Sequence, residues 1–440
     1  MSASQIRVLT LNCWGLKFVS KNRNERVAAI ARALSDADHD IVALQELWVF
    51  SDYEHVRDSV SNKLPYAKFF YSGALGAGLV IFSRWPIVAS SVYPYALNGA
   101  PTDVIAGDWF VGKAAASVVI AHPILGQVQI FNTHLFAKGG EGGPEHHRAH
   151  RLVNSWEFAK LVRTAAELGR YVIAAGDFNS VPTSLPMEII RDHTGLTDAW
   201  AVSHPNAPAS TTNALEAIHK FGVTADSPLN SYSAGKPLEP YARKFMGKRL
   251  DYVFFRHPPP STTSDVLPTL TCTQSRVAFT DKVPGADFSY SDHFGLEATL
   301  EIQQGSADAT DAIPPSTQLS AAAITKTIQA LTACYRFSRT RGRNELSVFG
   351  LCVLTLFGLI IGSAWLPHSW INPIFVLFTV FVAWLGTTML YEGFLYGRWE
   401  LNALMNVIEE LEIHRKSVHD TPESSRGVLD AGEDGYAFSP

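Results

Sequence analysis

Apolar positions in the first 302 residues follow two rhythms. Short runs rich in branched or aromatic residues, Ile6–Leu11, Ile41–Leu44, Gly78–Ser83, Ala116–Ile120, Val128–Asn132, Tyr171–Ala175, Leu250–Phe255 and Leu296–Ile302, have the length and make-up of buried strands. Arg26–Leu34 and His147–Leu168 instead carry helical spacing, and the alternation of the two patterns predicts an α/β domain. Polar residues recur where the strands stop. Asn12, Glu46, His134, Asp177 and Asn179 each sit at or just beyond such an end, where a sheet delivers side chains into a common cleft.

The pattern changes after Ile302. Residues 303–325 are rich in Ser, Ala, Thr, Asp and Pro and predict a linker, which closes a catalytic domain over 1–302. The rest of 303–345 is a basic juxtamembrane segment, with Lys326, Arg336, Arg339, Arg341 and Arg343 and no acidic residue between Asp311 and Glu345. Leu346–Leu366 and Ile371–Tyr391 then run 21 residues each without a charge, enough to cross a hydrocarbon core of roughly 30 Å. The turn Pro367–Trp370 makes them a transmembrane hairpin over 346–391, and the arginines before it place both ends on the cytosolic side. Leu401, Leu404, Ile408 and Leu411 have a heptad-like spacing, which fits a helical pair with a second copy or an amphipathic helix at the membrane surface. Beyond Ser417, within the segment 392–440, the tail is polar and predicts disorder.

Composition sharpens this picture. The apolar fraction of 47% is ordinary, but a mean hydropathy of +0.05 reflects the hairpin, and the net charge is −5. Up to Ile302 there are 27 basic against 28 acidic residues, so no basic field is available for a nucleic-acid backbone and nucleic acid is not an expected partner. The four cysteines lack metal-ligand spacing, and Met1–Gln5 lacks the start of a secretory signal. A reducing, cytosolic catalytic domain follows, with the endoplasmic reticulum as the default for an unsignalled domain with a membrane tail and a mitochondrial or other internal membrane as the alternative.

Phosphate-diester hydrolysis needs charge neutralisation, an activated water and support for a poor leaving group. Asn12 in Leu-Asn-Cys-Trp-Gly and Glu46 in Leu-Gln-Glu offer hard oxygen ligands, which suit Mg2+ better than zinc. Asp177 and Asn179 in Gly-Asp-Phe-Asn can position water or phosphate. His293 in Ser-Asp-His-Phe-Gly is the candidate general base, with Asp251 in Leu-Asp-Tyr to orient it. Each motif alone is as well explained by a turn or a cap. Their order along the chain, each beside a candidate strand, is what gives them weight.

That ordered set resembles the endonuclease/exonuclease/phosphatase superfamily over roughly the first 300 residues. The resemblance implies a four-layer α/β sandwich, two mixed sheets face to face with helices outside, followed here by the two-helix hairpin. It implies Glu46 and Asp292 at the metal, Asn12 and Asn179 at the metal or phosphate, Asp177 activating or orienting, and His293 paired with Asp251. Within the superfamily the chain looks like the membrane-bound neutral sphingomyelinases and the fungal inositol phosphosphingolipid phospholipases C, on Leu11–Leu16, Gly107–Lys113, Asn132-Thr-His-Leu, His150-Arg151 before Trp156, and the hairpin. This finer likeness implies that Asp108 and Lys113 form a switchable pair near the site, that His134 meets the phosphate or protonates the leaving oxygen, and that anionic phospholipids activate through Arg336, Arg339, Arg341 and Arg343.

The expected function is therefore a Mg2+-dependent phospholipase C that releases ceramide and a phosphorylated head group from a membrane sphingolipid. A nuclease or inositol-phosphate phosphatase of the same superfamily, and a catalytically dead membrane scaffold, are the alternatives. Head-group choice stays open between inositol and choline, with Tyr93–Pro101 and Asn230–Lys248 as the candidate loops. The glycine-rich stretch Gly139–Gly143 reads as a loop into a helix and receives no chemistry.

Overall fold

The computed structural model describes residues 4–104, 107–206, 209–259, 267–304 and 317–420. The central strands are buried on both faces, and the outer ones only in part. The strands are β1 (Gln5–Asn12), β2 (Ile41–Gln45), β3 (Tyr66–Phe69), β4 (Val80–Ser83), β5 (Ile87–Pro94), β6 (Ala114–His122), β7 (Gly126–His134), β8 (Tyr171–Asp177), β9 (Thr197–Asp198), β10 (Asp251–Arg256), β11 (Thr269–Ala278) and β12 (Gly295–Gln303). They hydrogen-bond into two six-stranded sheets, in the orders β11-β12-β1-β2-β4-β3 and β5-β6-β7-β8-β10-β9. Each sheet is antiparallel except at one central pair, β1 with β2 and β7 with β8.

The sheets face each other across an apolar core in which Ile6, Val8, Ile41, Ala43 and Ile81 of one meet Ala116, Val118, Ile130, Ile173 and Val253 of the other. The alternate residues face outward. Leu9, Leu11, Val42 and Leu44 receive α1 (Arg23–Asp36) and α2 (Phe50–Val60). Phe131, Val172, Ala174 and Phe254 receive α3 (Glu145–Glu167) and α4 (Leu185–Thr194). The result is the four-layer sandwich that the family resemblance implies. Short helices α5 (Ala199–Ser203), α6 (Ala214–Glu216) and α7 (Pro240–Phe245) lie in the connection between β9 and β10.

The C-terminal third departs from expectation. Residues 305–316 of the expected linker lie outside the described residues, but α8 (Ala321–Gly362) is one unbroken helix of 42 residues, about 63 Å long at 1.5 Å per residue. Ala-rich sequence that reads as linker by composition is also the best helix-forming sequence, and the Ser320 hydroxyl accepts from the Ala323 N–H at 3.0 Å to cap the first turn. The first half of α8 packs Ala323, Ile324, Ala330, Leu331 and Cys334 against α3, along with α10 (Gly397–Asp420). In α10, Leu404, Ile408 and Leu411 are buried in that same cluster. The heptad-like leucines thus pack within this chain, which removes the apolar stripe expected to pair with a second copy or lie on the membrane. The polar tail from Thr421 is outside the described residues.

A polar knot locks this junction. The His150 Nδ1 accepts from the Gly99 N–H at 2.9 Å, its Nε2 meets Glu400 Oε1 at 2.9 Å, and Arg341 grips the other Glu400 oxygen. With both imidazole nitrogens engaged and an arginine on the carboxylate, the group His150, Cys334 and Glu400 is a structural knot rather than a metal site. Glu400 is 1% exposed, so Glu400→Gln leaves Arg341 short of its partner and should destabilise the helix junction by roughly 3 kcal/mol. A thermal melt of the detergent-solubilised protein measures this as a lowered midpoint.

Beyond Glu345 the environment reverses. On α8 and on α9 (Ile371–Leu390), Leu351, Leu354, Ile360, Leu377 and Val380 are each more than 60% exposed. These two helices are long and apolar enough to cross a membrane. Trp365 and Trp370 flank the turn between them, as interfacial anchors do.

Candidate active site

The functional side chains converge because both sheets end at the same rim. β1 ends at Asn12 and β2 runs through Gln45 into Glu46, while β7 ends at His134, β8 at Asp177, and β10 begins at Asp251. Parallel pairing of β1 with β2 and of β7 with β8 puts Asn12 beside Gln45 and His134 beside Asp177. Antiparallel β10 sets Asp251 opposite Asp177. The two sheets are tied together at this rim by a buried amide pair, in which Gln45 Nε2 donates to Asn132 Oδ1 at 2.7 Å. Asn132 then donates to the carbonyls of Leu44 and Val80, both at 2.9 Å.

The backbone is held out of its relaxed regions where the ligands turn inward. Trp14, Glu46 and Asn179 all have left-handed φ, at 45°, 55° and 46°. Such conformations persist only where surroundings enforce them. Gly15 provides room for one of them: its N–H donates to the Glu46 carbonyl at 2.9 Å, and a Cβ there would stand 2.4 Å from that oxygen. Gly15→Ala should therefore displace Glu46 and lower kcat/KM by about 10²-fold, with the circular-dichroism spectrum unchanged.

Around Asp177 the distances are short. Asn12 Nδ2 donates to Glu46 Oε1 at 3.1 Å and to Asp177 Oδ2 at 3.0 Å. The Asn12 Oδ1 accepts from the Trp14 N–H at 2.9 Å. Asn12 therefore presents its nitrogen to the two carboxylates, and the oxygen expected on the metal or phosphate is turned to the Trp14 backbone. On the other side, His293 Nδ1 donates to Asp251 Oδ2 at 2.9 Å, and its Nε2 lies 3.9 Å from Asp177 Oδ2. The Asn179 N–H donates to Asp177 Oδ1 at 2.9 Å, and its Nδ2 to the Leu135 carbonyl at 2.9 Å.

Electrostatics separate the two histidines. Burial and the nearby Lys113 cation hold His134 well below the ordinary histidine range. Lys113 Nζ donates to its Nε2 at 3.0 Å, so this imidazole is a neutral acceptor and cannot protonate a leaving oxygen as the sequence reading expects. For His293, burial opposes charge, but Asp251, Asp177 and Asp292 outweigh it and raise its pKa well above the ordinary value. These carboxylates hold it as an imidazolium, and a divalent cation neutralising them would bring it back toward the range of a base.

Glu46 is pushed up to about 7, first by burial and then by the charge of Asp292. Burial likewise raises Asp177 and Asp292. Asp177, fully buried, and Glu46 and Asp292, half-buried, share one rim, raise one another's pKa by mutual repulsion, and offer only oxygen as donor atoms. These residues fit a hard divalent cation, and the ligand atoms of Asp177, Asp251 and His293 already lie within 4.8 Å of one another.

Asp108 and Lys113 do meet, at 3.2 Å, and both are at least nine-tenths buried. Lys113 also donates to the Leu135 carbonyl at 2.9 Å, so its three N–H groups are all engaged, while its charge opposes the rise of the Glu46 pKa. Of the four arginines, Arg336, Arg339 and Arg343 are exposed, whereas Arg341 is committed to Glu400 and Glu345.

The sequence reading missed Arg26. This fully buried guanidinium donates to the carbonyls of Cys13 at 2.7 Å, Trp14 at 2.6 Å and Tyr290 at 3.1 Å, which binds the segment after Asn12 to the one before Asp292. Within an amphipathic helix an arginine reads as surface, and only the low local count of acidic partners hinted otherwise.

Comparison with known proteins adds a second line. The profile of the Endonuclease/Exonuclease/phosphatase family matches residues 9–293. An inositol phosphosphingolipids phospholipase C of Schizosaccharomyces pombe is 37% identical over 93% of this chain and 94% of its own. A protein of the same name in Saccharomyces cerevisiae is 30% identical over 93% of this chain and 90% of its own. Human sphingomyelin phosphodiesterase 2 is 30% identical over 57% of this chain and 56% of its own.

Proposed function

Since this chain belongs to the endonuclease/exonuclease/phosphatase family, we propose that it is a phosphoric diester hydrolase, a Mg2+-dependent phospholipase C that cleaves sphingophospholipids to ceramide and a phosphorylated head group. The observation that carries this reading is the meeting of an oriented base, His293 on Asp251, with three cation-seeking carboxylates at one rim. The full-length likeness to phospholipases of that class, hairpin included, supports the choice of substrate.

Glu46 and Asp292 would hold the ion. When bound, Mg2+ supplies charge neutralisation at the phosphoryl oxygens and support for the departing ceramide oxygen. His293 takes a proton from the attacking water at Nε2, because Nδ1 is fixed on Asp251, and Asp251 steadies the imidazolium that results. Asn12 holds Glu46 and Asp177 in register. Asn179 retains one amide hydrogen for a phosphoryl oxygen, since its other is bound to Leu135. Lys113 contributes positive charge near Glu46 from a pair with Asp108 that can open.

The bare helices α8 and α9 would span the bilayer and hold the catalytic domain at the cytosolic face of an internal membrane. Arg336, Arg339 and Arg343, exposed in the three turns before the span, would meet anionic phospholipids, each worth about 1 kcal/mol near the surface. Their joint replacement by glutamine should reduce activation by anionic vesicles several-fold. Activity in neutral detergent micelles serves as the reference for that measurement.

The reading is tested by incubating the purified full chain with inositol phosphoceramide and with sphingomyelin in mixed micelles, with Mg2+ or with a chelator. Ceramide should form only with Mg2+ present. Equal ceramide release in the chelator would defeat the cation requirement, and no release from either lipid would defeat the phospholipase reading.

A further inference from the structure

Beside the catalytic rim, a cavity of about 440 Å³ is lined by His293 and Asn179 on one side and by Glu141, Asp226, Glu239 and Lys248 on the other. Its volume falls in the usual range for a small-molecule site. The glycine-rich stretch that carries no chemistry in sequence forms one wall. Gly139 and Gly140 have left-handed φ, and Arg151 grips the Gly140 carbonyl from α3. This stretch also brings in Glu141, whose Oε1 accepts from the Val181 N–H at 3.1 Å and whose second oxygen is left for a ligand.

Lys248 is the centre of the opposite wall. It is 6% exposed, and its ammonium lies 3.2 Å from Asp226 and is hydrogen-bonded to Glu239. Two of its three N–H groups are thereby used. The third has no protein partner among the described residues, which in a buried ammonium marks a place for a ligand acceptor. Gly140 faces this pair, its Cβ position lying 3.5 Å from the Glu239 oxygens and 3.8 Å from Lys248 Nζ.

We propose that this cavity is the head-group subsite and that it recognises a polyol, the inositol ring of a phosphosphingolipid, through Glu141, Asp226, Glu239 and Lys248. The proposal deepens the phospholipase C reading and rests on it. A hydroxyl group both donates and accepts, and a wall in which a donor stands between carboxylate acceptors matches a ring bearing adjacent hydroxyls. A trimethylammonium group donates nothing and is held best by aromatic faces, and no aromatic side chain lines this cavity. Of the two loops open in sequence, Asn230–Lys248 supplies Glu239 and Lys248. The other, Tyr93–Pro101, is turned away against α10, where Trp399 Nε1 donates to the Ala96 carbonyl at 2.9 Å.

The test reconstitutes the full chain in vesicles that hold equal mole fractions of inositol phosphoceramide and sphingomyelin with Mg2+. The two lipids compete for one site, so the ratio of released inositol phosphate to phosphocholine reads relative kcat/KM. Glu239→Gln and Lys248→Met should each lower that ratio by about tenfold or more. Glu239 is half exposed, so its variant reads out even where loss of the buried Lys248 prevents folding. A ratio that stays within threefold of wild type, or rises, overturns the proposal, as does a wild type that releases phosphocholine alone. Where the wild type releases only inositol phosphate, the same variants are read by product inhibition, with the constant for inositol 1-phosphate rising at least tenfold relative to that for phosphocholine; an unchanged relative constant overturns the proposal. A wild type that releases neither head group refutes the phospholipase reading itself, a result distinct from any of these.

Discussion

Replacement of His293 by alanine is expected to lower kcat by about 10²–10⁴-fold with little change in the affinity for substrate vesicles, the span of a lost general base. The same magnitude is expected for Asp251→Asn by a different route. Asp251 lies fully buried and accepts from His293 Nδ1 at 2.9 Å, which fixes the tautomer that leaves Nε2 facing Asp177. An amide at this position can donate to Nδ1 and reverse the tautomer, so a base of normal position would lack its lone pair on the reactive side. The two substitutions act through one unit, so the double variant should be no more than a few-fold worse than either single one. Multiplied losses in the double variant would show that His293 and Asp251 work separately.

Glu46→Ala should be the second severe loss, with two readouts that need not involve the lipid. Steady-state turnover is expected to fall by about 10³-fold or more at saturating substrate, because the transition state loses its charge neutralisation. Independently, wild-type protein should gain thermal stability on addition of millimolar Mg2+, as any ligand of the folded state confers, and the variant should gain little or none. The sign at zero metal is informative. Glu46 is half-buried beside the negative charge of Asp292 and sits at about 7, so its removal relieves repulsion in the metal-free protein. The variant should therefore melt no lower than wild type without the ion. A wild type that shows no Mg2+-dependent shift would break the assignment of this rim as a cation site.

How far the sequence could be read depended on how each feature is encoded. Strands of the two sheets' interiors are legible because both faces are buried. Ile41–Leu44 and Tyr171–Ala175 are apolar throughout and lie within β2 and β8 as observed. The edge strands β5 and β11 were missed: Ile87–Pro94 carries strand-forming residues broken by Ser90-Ser91 and ended by Pro94, and Thr269–Ala278 is mostly polar. Residues at strand ends, Glu46, Asp177, Asn179 and Asp251, could be picked out because each stands in a short motif beside such a run.

What could not be read was direction and pairing. Nothing in Leu-Asn-Cys-Trp says that Asn12 would turn its nitrogen to the carboxylates, because that follows from a bond to the Trp14 backbone in a left-handed turn. The neutral state of His134 rests first on burial and then on Lys113, 21 residues away. The sharpest error concerned the junction to the membrane helices. Composition treats residues 303–325 as a spacer, yet Ala323 and Ile324 within it pack against α3, and the arginine expected to face lipid, Arg341, closes on Glu400 59 residues later. Tertiary partners so distant leave no local trace.

The most direct measurement of the central chemistry is hydrolysis of inositol phosphoceramide by the full chain in water enriched in oxygen-18, with Mg2+, followed by mass spectrometry of both products. Attack on phosphorus with departure of the ceramide oxygen puts one heavy oxygen in the released inositol phosphate and none in the ceramide. Formation of ceramide 1-phosphate and free inositol, or of ceramide that itself carries the label, would contradict phospholipase C chemistry at this site.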